Sequence, residues 1–183
     1  MKISTRQLTY DALTLALLIV GGFILYYISS VVPVPGAKFL LMAPYLTIVL
    51  YYPVKRSPTP GTISLINLGF AALLSLMSFF MGIAIVLSGV LTDLTVLVLF
   101  RKYDTEWKRR VGISFYPAYA MLTSLFITDF ITGRKLYGNF GLWPVIIMTL
   151  ATFVLGYIGA VTGHFIDKRI SQGVRRLKNE SES

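Results

Sequence analysis

Asp11-Ala12-Leu13-Thr14-Leu15-Ala16 opens the stretch whose reading decides the fold. From Ala12 to Val32 there is no charge, and the next one after Asp11 is Lys38. At about 1.5 Å per residue, such a run spans a hydrocarbon layer of roughly 30 Å. Ala12 and Ala16 lie one turn apart on one face. Two small side chains at that spacing let another helix approach closely, because no bulk separates the backbones. Lys2 and Arg6 precede the run, as in a secretory signal. The apolar core is too long for one, however, and Val32-Pro33-Val34-Pro35 stands where a small-residue cleavage site would be. The stretch therefore reads as a mature span.

Working outward, the same apolar texture recurs. The 183 residues are 55% hydrophobic and only 14% charged, against about a quarter charged in a soluble domain. The apolar residues come in long blocks, without the polar stripes that soluble bundle helices need. This predicts an all-α integral membrane protein with a single transmembrane domain. There is no cysteine, which excludes a disulfide framework and a thiolate metal site. The net charge of +9 suggests nucleic acid at first sight. The basic residues instead sit at the ends of apolar runs, where topology is set, so no nucleic-acid partner is expected and the bilayer is.

Six spans are expected, at about 12–32, 39–53, 63–77, 82–100, 111–131 and 142–166. A basic cytoplasmic tail follows over 167–183. Ser4, Thr5 or Thr9 can cap the first. Val32-Pro33-Val34-Pro35-Gly36 is a stiff loop, and Pro44 is expected to kink span two and free a carbonyl. Residues 63–100 are too long for one span, so a turn is placed around Ser78-Phe79-Phe80-Met81-Gly82. Six spans put both termini on one side, together with Lys2, Arg6, Lys55, Arg56, Arg101, Lys102, Lys108, Arg109, Arg110, Lys168, Arg169, Arg175, Arg176 and Lys178. Lys38, Arg134 and Lys135 fall on the other. Fourteen basic residues against three of the seventeen place both termini in the cytoplasm. No internal repeat is visible, unlike many secondary transporters.

Few residues can carry chemistry. Asp93, about eleven residues into span four, falls near the midplane, where a carboxylate is costly unless paired or hydrated. It reads either as a ligand contact or as a structural acid bonded to Asn67 or to a threonine such as Thr92 or Thr95. Asp129, near Arg134 and Lys135, reads as an interfacial salt bridge or as the rim of a pocket. Asn67 reads as glue between helices. Phe39, Phe79, Phe80, Tyr137, Phe140 and Trp143 cluster at the outer loops. They suit an interfacial belt, or stacking on a flat ligand. Gly156, Gly159 and Gly163 thin one side of span six for close packing. His164, the only histidine, reads as interfacial and cannot form a metal site or a catalytic triad alone. Asp104 and Glu106 form the only acidic pair at the cytoplasmic face. They lie among Arg101, Lys102 and Lys108 to Arg110, which suits a solvated loop better than an enzyme centre. No phosphate-binding glycine loop is present, so ATP would have to act through a partner.

Length, six spans with both ends inside, Ala12-Leu13-Thr14-Leu15-Ala16 and the glycine-rich Gly156-Tyr157-Ile158-Gly159-Ala160-Val161-Thr162-Gly163 give the chain a likeness to a known family. It resembles the substrate-binding S-components of energy-coupling factor (ECF) transporters, prokaryotic importers of vitamins and trace nutrients. The resemblance implies a multi-pass plasma-membrane subunit that binds a vitamin at the outer face. It implies docking through an AxxxA face, here Ala12 and Ala16, onto a membrane scaffold subunit joined to two ATPases. It implies no cofactor and no catalysis. Lys38, Asp93, Asp129, Arg134, Asn139 and Trp143 are the pocket candidates, chosen by depth and sidedness. Nickel and cobalt members carry a histidine near Met1, and Lys2 stands there in this chain. Aromatics with a buried acid suit a cationic ring such as a thiamine precursor. Riboflavin, a folate, biotin, pantothenate and a cobalamin stay open. The competing expectation is a six-span scaffold of the cell-shape or divisome type with no ligand.

Overall fold

Apolar blocks of this length satisfy their own backbone hydrogen bonds only as helices. The computed structural model describes residues 5–30, 37–133 and 141–181. Among them are six helices and no strand: α1 (Thr5–Ser30), α2 (Ala37–Arg56), α3 (Thr62–Leu74), α4 (Phe79–Leu99), α5 (Glu106–Thr132) and α6 (Leu142–Ser181). Helices α1, α4, α5 and α6 are long and apolar enough to cross a membrane. Helix α3 is as apolar, but its 13 residues reach only about 20 Å.

Successive helices run in opposite directions. The guanidinium of Arg56, at the end of α2, lies 3.6 Å from the ring centre of Tyr10 near the start of α1. The backbone N–H of Tyr103, just after α4, donates to the carbonyl of Pro58 before α3 at 3.0 Å. Lys55 of α2 pairs with Asp167 of α6. Tyr10, the 57–61 and 100–105 turns and Asp167 thus share one end of the bundle. Tyr26, Lys38, the α3–α4 turn and Ile131 share the other.

Helix α2 is the hub, packed against α1, α5 and α6. Leu46, Leu50, Tyr51 and Val54 carry its buried side into a core with Leu18, Ile63, Ile66, Val96 and Ile113. Gly159 of α6 sits against the backbone of α2. A Cβ on Gly159 would overlap the Pro44 carbonyl oxygen and lie 2.5 Å from its Cα. Only a hydrogen atom fits between those two helices.

Four boundaries differ from the sequence reading. The turn between α3 and α4 falls at 75–78, earlier than 78–82, because the backbone of Ser75, Met77 and Ser78 closes on Ala71 and Leu74 there. Helix α2 passes through both Pro44 and Pro53 and extends to Arg56. Pro53 loses its own donor, but the next turn is kept by Ser57 N–H on the Pro53 carbonyl at 2.9 Å. Helix α5 starts at Glu106, five residues before Val111, and Pro117 lies inside it. The tail is no loose extension: α6 stays helical to Ser181.

Candidate functional site

At the end of the bundle shared by Tyr26 and Lys38 the helices diverge around a cavity of about 320 Å³. Its walls come from five helices: Tyr26 of α1, Lys38 and Met42 of α2, Phe70 and Leu74 of α3, Met81 and Ser88 of α4, and Tyr116 and Ser124 of α5. The α5 contribution, Tyr116, Ala120, Ser124, Ile127 and Ile131, repeats every three or four residues and is one helical face. The volume lies at the small end of ligand pockets, which run from about 300 to 1,000 Å³.

Polar groups in the wall are few and ordered. Ser88 Oγ lies 2.7 Å from Thr123 Oγ1 and donates to the Ala84 carbonyl at 2.6 Å. Tyr116 Oη donates to Asn67 Oδ1 at 2.9 Å, tying α5 to α3 behind the wall. Thr128 donates to the Ser124 carbonyl at 2.7 Å. Among the described lining residues the sole ionisable side chain besides the tyrosines is Lys38, whose Nζ stands 5.5 Å from the ring centre of Tyr26. A second, more open hollow of about 370 Å³ lies between α3 and α4. Its lining, including Ala71, Ala72, Phe79 and Gly82, has no charge and only Ser75 for polarity.

The six pocket candidates fall in different places. Lys38 lines the cavity, as do the aromatic Phe39 and Phe80. Arg134 and Asn139, like Tyr137 and Phe140, lie outside the described residues. Trp143 is 76% exposed at the start of α6 and lines neither hollow. Asp129, half-buried in the last turn of α5, is not in the cavity wall. Ala12 and Ala16 are exposed on α1, while Thr14 and Leu18 are buried.

Asp93 is the main departure. It lies six residues from the end of α4, on the Tyr10 side of the helix's middle, and outside the cavity. Its Oδ2 accepts from the backbone N–H and the hydroxyl of Ser64, both at 2.7 Å. Its Oδ1 accepts from Tyr103 Oη at 2.8 Å. Ser64 N–H is one of the orphan donors of the first turn of α3. Gly61, the residue before that helix, adopts φ 103° and has no side chain to cap it. A carboxylate from the neighbouring helix supplies the cap, and its charge also suits the positive end of α3. Neither Asn67 nor a threonine is its partner. Burial, and then the charge of Asp93, push the Tyr103 hydroxyl well above the usual phenol range. Tyr103 thus holds its proton and serves as a donor throughout the ordinary pH range.

The Tyr10 end carries a second polar group that sequence spacing did not indicate. Tyr51 Oη donates to Glu106 Oε2 at 2.6 Å and lies 2.9 Å from His164 Nδ1. Arg109 donates to Glu106 Oε1 at 2.8 Å. These contacts join α2, α5 and α6. Glu106 is therefore a bridging acid, whereas Asp104 is exposed and pairs with Lys108 at 3.2 Å. Lys108 holds the Asp104 carboxyl below its usual range. Among the described residues no group of three or more metal-ligating side chains occurs.

No family model, characterised protein or solved structure matches this chain.

Proposed function

We propose that the chain is a six-span membrane protein with both termini in the cytoplasm, acting as the substrate-binding S-component of an ECF-type importer. It captures a vitamin or vitamin precursor in the Lys38 cavity at the outer face of a prokaryotic plasma membrane. It then docks through Ala12 and Ala16 on the scaffold subunit, whose two ATPases drive delivery inward. The observation that carries this reading is the separation of two features along α1. Tyr26 borders a cavity, and Ala16, ten residues earlier, stands on an open face. At about 1.5 Å per residue they are roughly 15 Å apart along the helix, so a partner can dock without covering the cavity. The excess of basic residues at the Tyr10 end supports the orientation. The resemblance supports the partners.

The test is mass spectrometry of small molecules carried by protein purified from rich medium, together with uptake in cells. A single vitamin-sized compound is expected in stoichiometric amount. Ala12→Trp and Ala16→Trp are expected to abolish uptake and keep binding. Empty protein with no thermal shift from a vitamin panel would overturn the binding role. Unchanged uptake in both tryptophan variants would remove the docking face.

A further inference from the structure

We infer that the cavity takes a small amphipathic monocarboxylate, with its carboxylate on Lys38 and its body among the α3, α4 and α5 side chains. This rests on the cavity being the ligand site. Among the described residues Lys38 makes no ion pair, and its ammonium stands 5.5 Å from the centre of the Tyr26 ring. The described wall contains no carboxylate, since Asp93 is committed to Ser64 and Tyr103 and Asp129 lies outside. A cationic ligand would meet an uncompensated like charge there. An anionic one gains a charge-assisted hydrogen bond, shorter and roughly twice as strong as a neutral one. This reverses the electrostatic argument for a thiamine-like cation, which needed Asp93 in the wall.

The rest of the wall describes the body of the ligand. Phe70, Leu74, Met81 and Ile85 present apolar surface. The hydroxyl protons of Tyr116 and Thr128 are used within the bundle, on Asn67 and on the Ser124 carbonyl. Neither proton is left for the ligand, which suits an apolar body. The volume of about 320 Å³ suits a small molecule, at the lower end of ligand pockets of about 300 to 1,000 Å³. A cobalamin is several times too large to be enclosed.

Binding to the purified full-length protein tests this, with biotin, pantothenate and nicotinate as carboxylates, their methyl esters, riboflavin as a near-neutral ring and thiamine as a cation. Every compound that binds is expected to be a free carboxylate. Its affinity is expected to fall at least tenfold, about 1.4 kcal/mol, in Lys38→Ala and likewise on esterification, and to stay within threefold in Lys38→Arg. Lys38 is exposed, so the folded state survives both changes. If thiamine or riboflavin binds instead, or if Lys38→Ala binds the carboxylate unchanged, the inference is overturned while the importer reading stands. If nothing in the panel binds and the purified protein carries no small molecule, both fall together.

Discussion

Two helices of this protein carry the same sequence signal and use it differently. Helix α6 places Gly156, Gly159 and Gly163 on one side, and α1 places Ala12 and Ala16 on one side. The α6 stripe is filled from within: Gly159 meets the backbone of Pro44, Gly156 the ring of Pro117 and Gly163 the side chain of Tyr51. The α1 stripe is open, with Leu13, Leu17 and Val20 equally exposed around it. The same small-residue spacing is thus filled by neighbours in one helix and left open in the other.

The contrast can be broken at three points, of decreasing effect on stability. Gly159→Leu is expected to abolish folding. Gly159→Ala should cost about 3 kcal/mol, the upper end for overpacking, because the obstacle is backbone. Chemical unfolding in detergent reads this, and an unchanged midpoint for Gly159→Ala would mean that α2 and α6 are not in contact there. Asp93→Ala comes next. It leaves the Ser64 and Tyr103 donors unpaired and should cost about 1–3 kcal/mol while ligand affinity stays within twofold. Loss of affinity with intact stability would move Asp93 into the binding site. Ala16→Trp is the mildest, with stability within about 0.5 kcal/mol, since nothing packs on it. A large loss would show that the α1 face is already occupied inside the molecule.

The sequence was most legible where apolar length decides the structure. The span at 111–131 falls within α5, α1 covers the expected first span as far as Ser30, and a hairpin does divide residues 63–100. The turn was misplaced because every residue from Ala71 to Gly82 is apolar, small or hydroxylic, so no charge marks the bend. Pro53 misled at α2, where the helix runs on to Arg56 instead of ending at the proline, while Pro44 lies inside it as expected. Sidedness singled out Lys38, since a lone cation beside a proline-rich loop stands out. Ser88, Tyr116 and Ser124 did not, because a lining stripe has no contrast in helices that are apolar all round. Asp93 was visible, but its partners were not. Ser64 lies 29 residues away, and only the fold shows that α3 begins beside it with an uncapped turn. The Tyr51, Glu106 and His164 group spans 113 residues of chain and has no local signature at all.

The length of α6 has a mechanical consequence. Its 40 residues rise about 60 Å, twice a hydrocarbon layer of roughly 30 Å. Gly156, Gly159 and Gly163, near its middle, pack it against α2 and α5, and the helix continues past Asp167. Any rotation of the bundle in the bilayer is therefore magnified at the far end, as at the tip of a lever. Gly173 stands on that helix with nothing within 4 Å of where a Cβ would be, and the chain has no cysteine of its own. A single probe attached there would read the orientation of the bundle without touching the cavity or the α1 face.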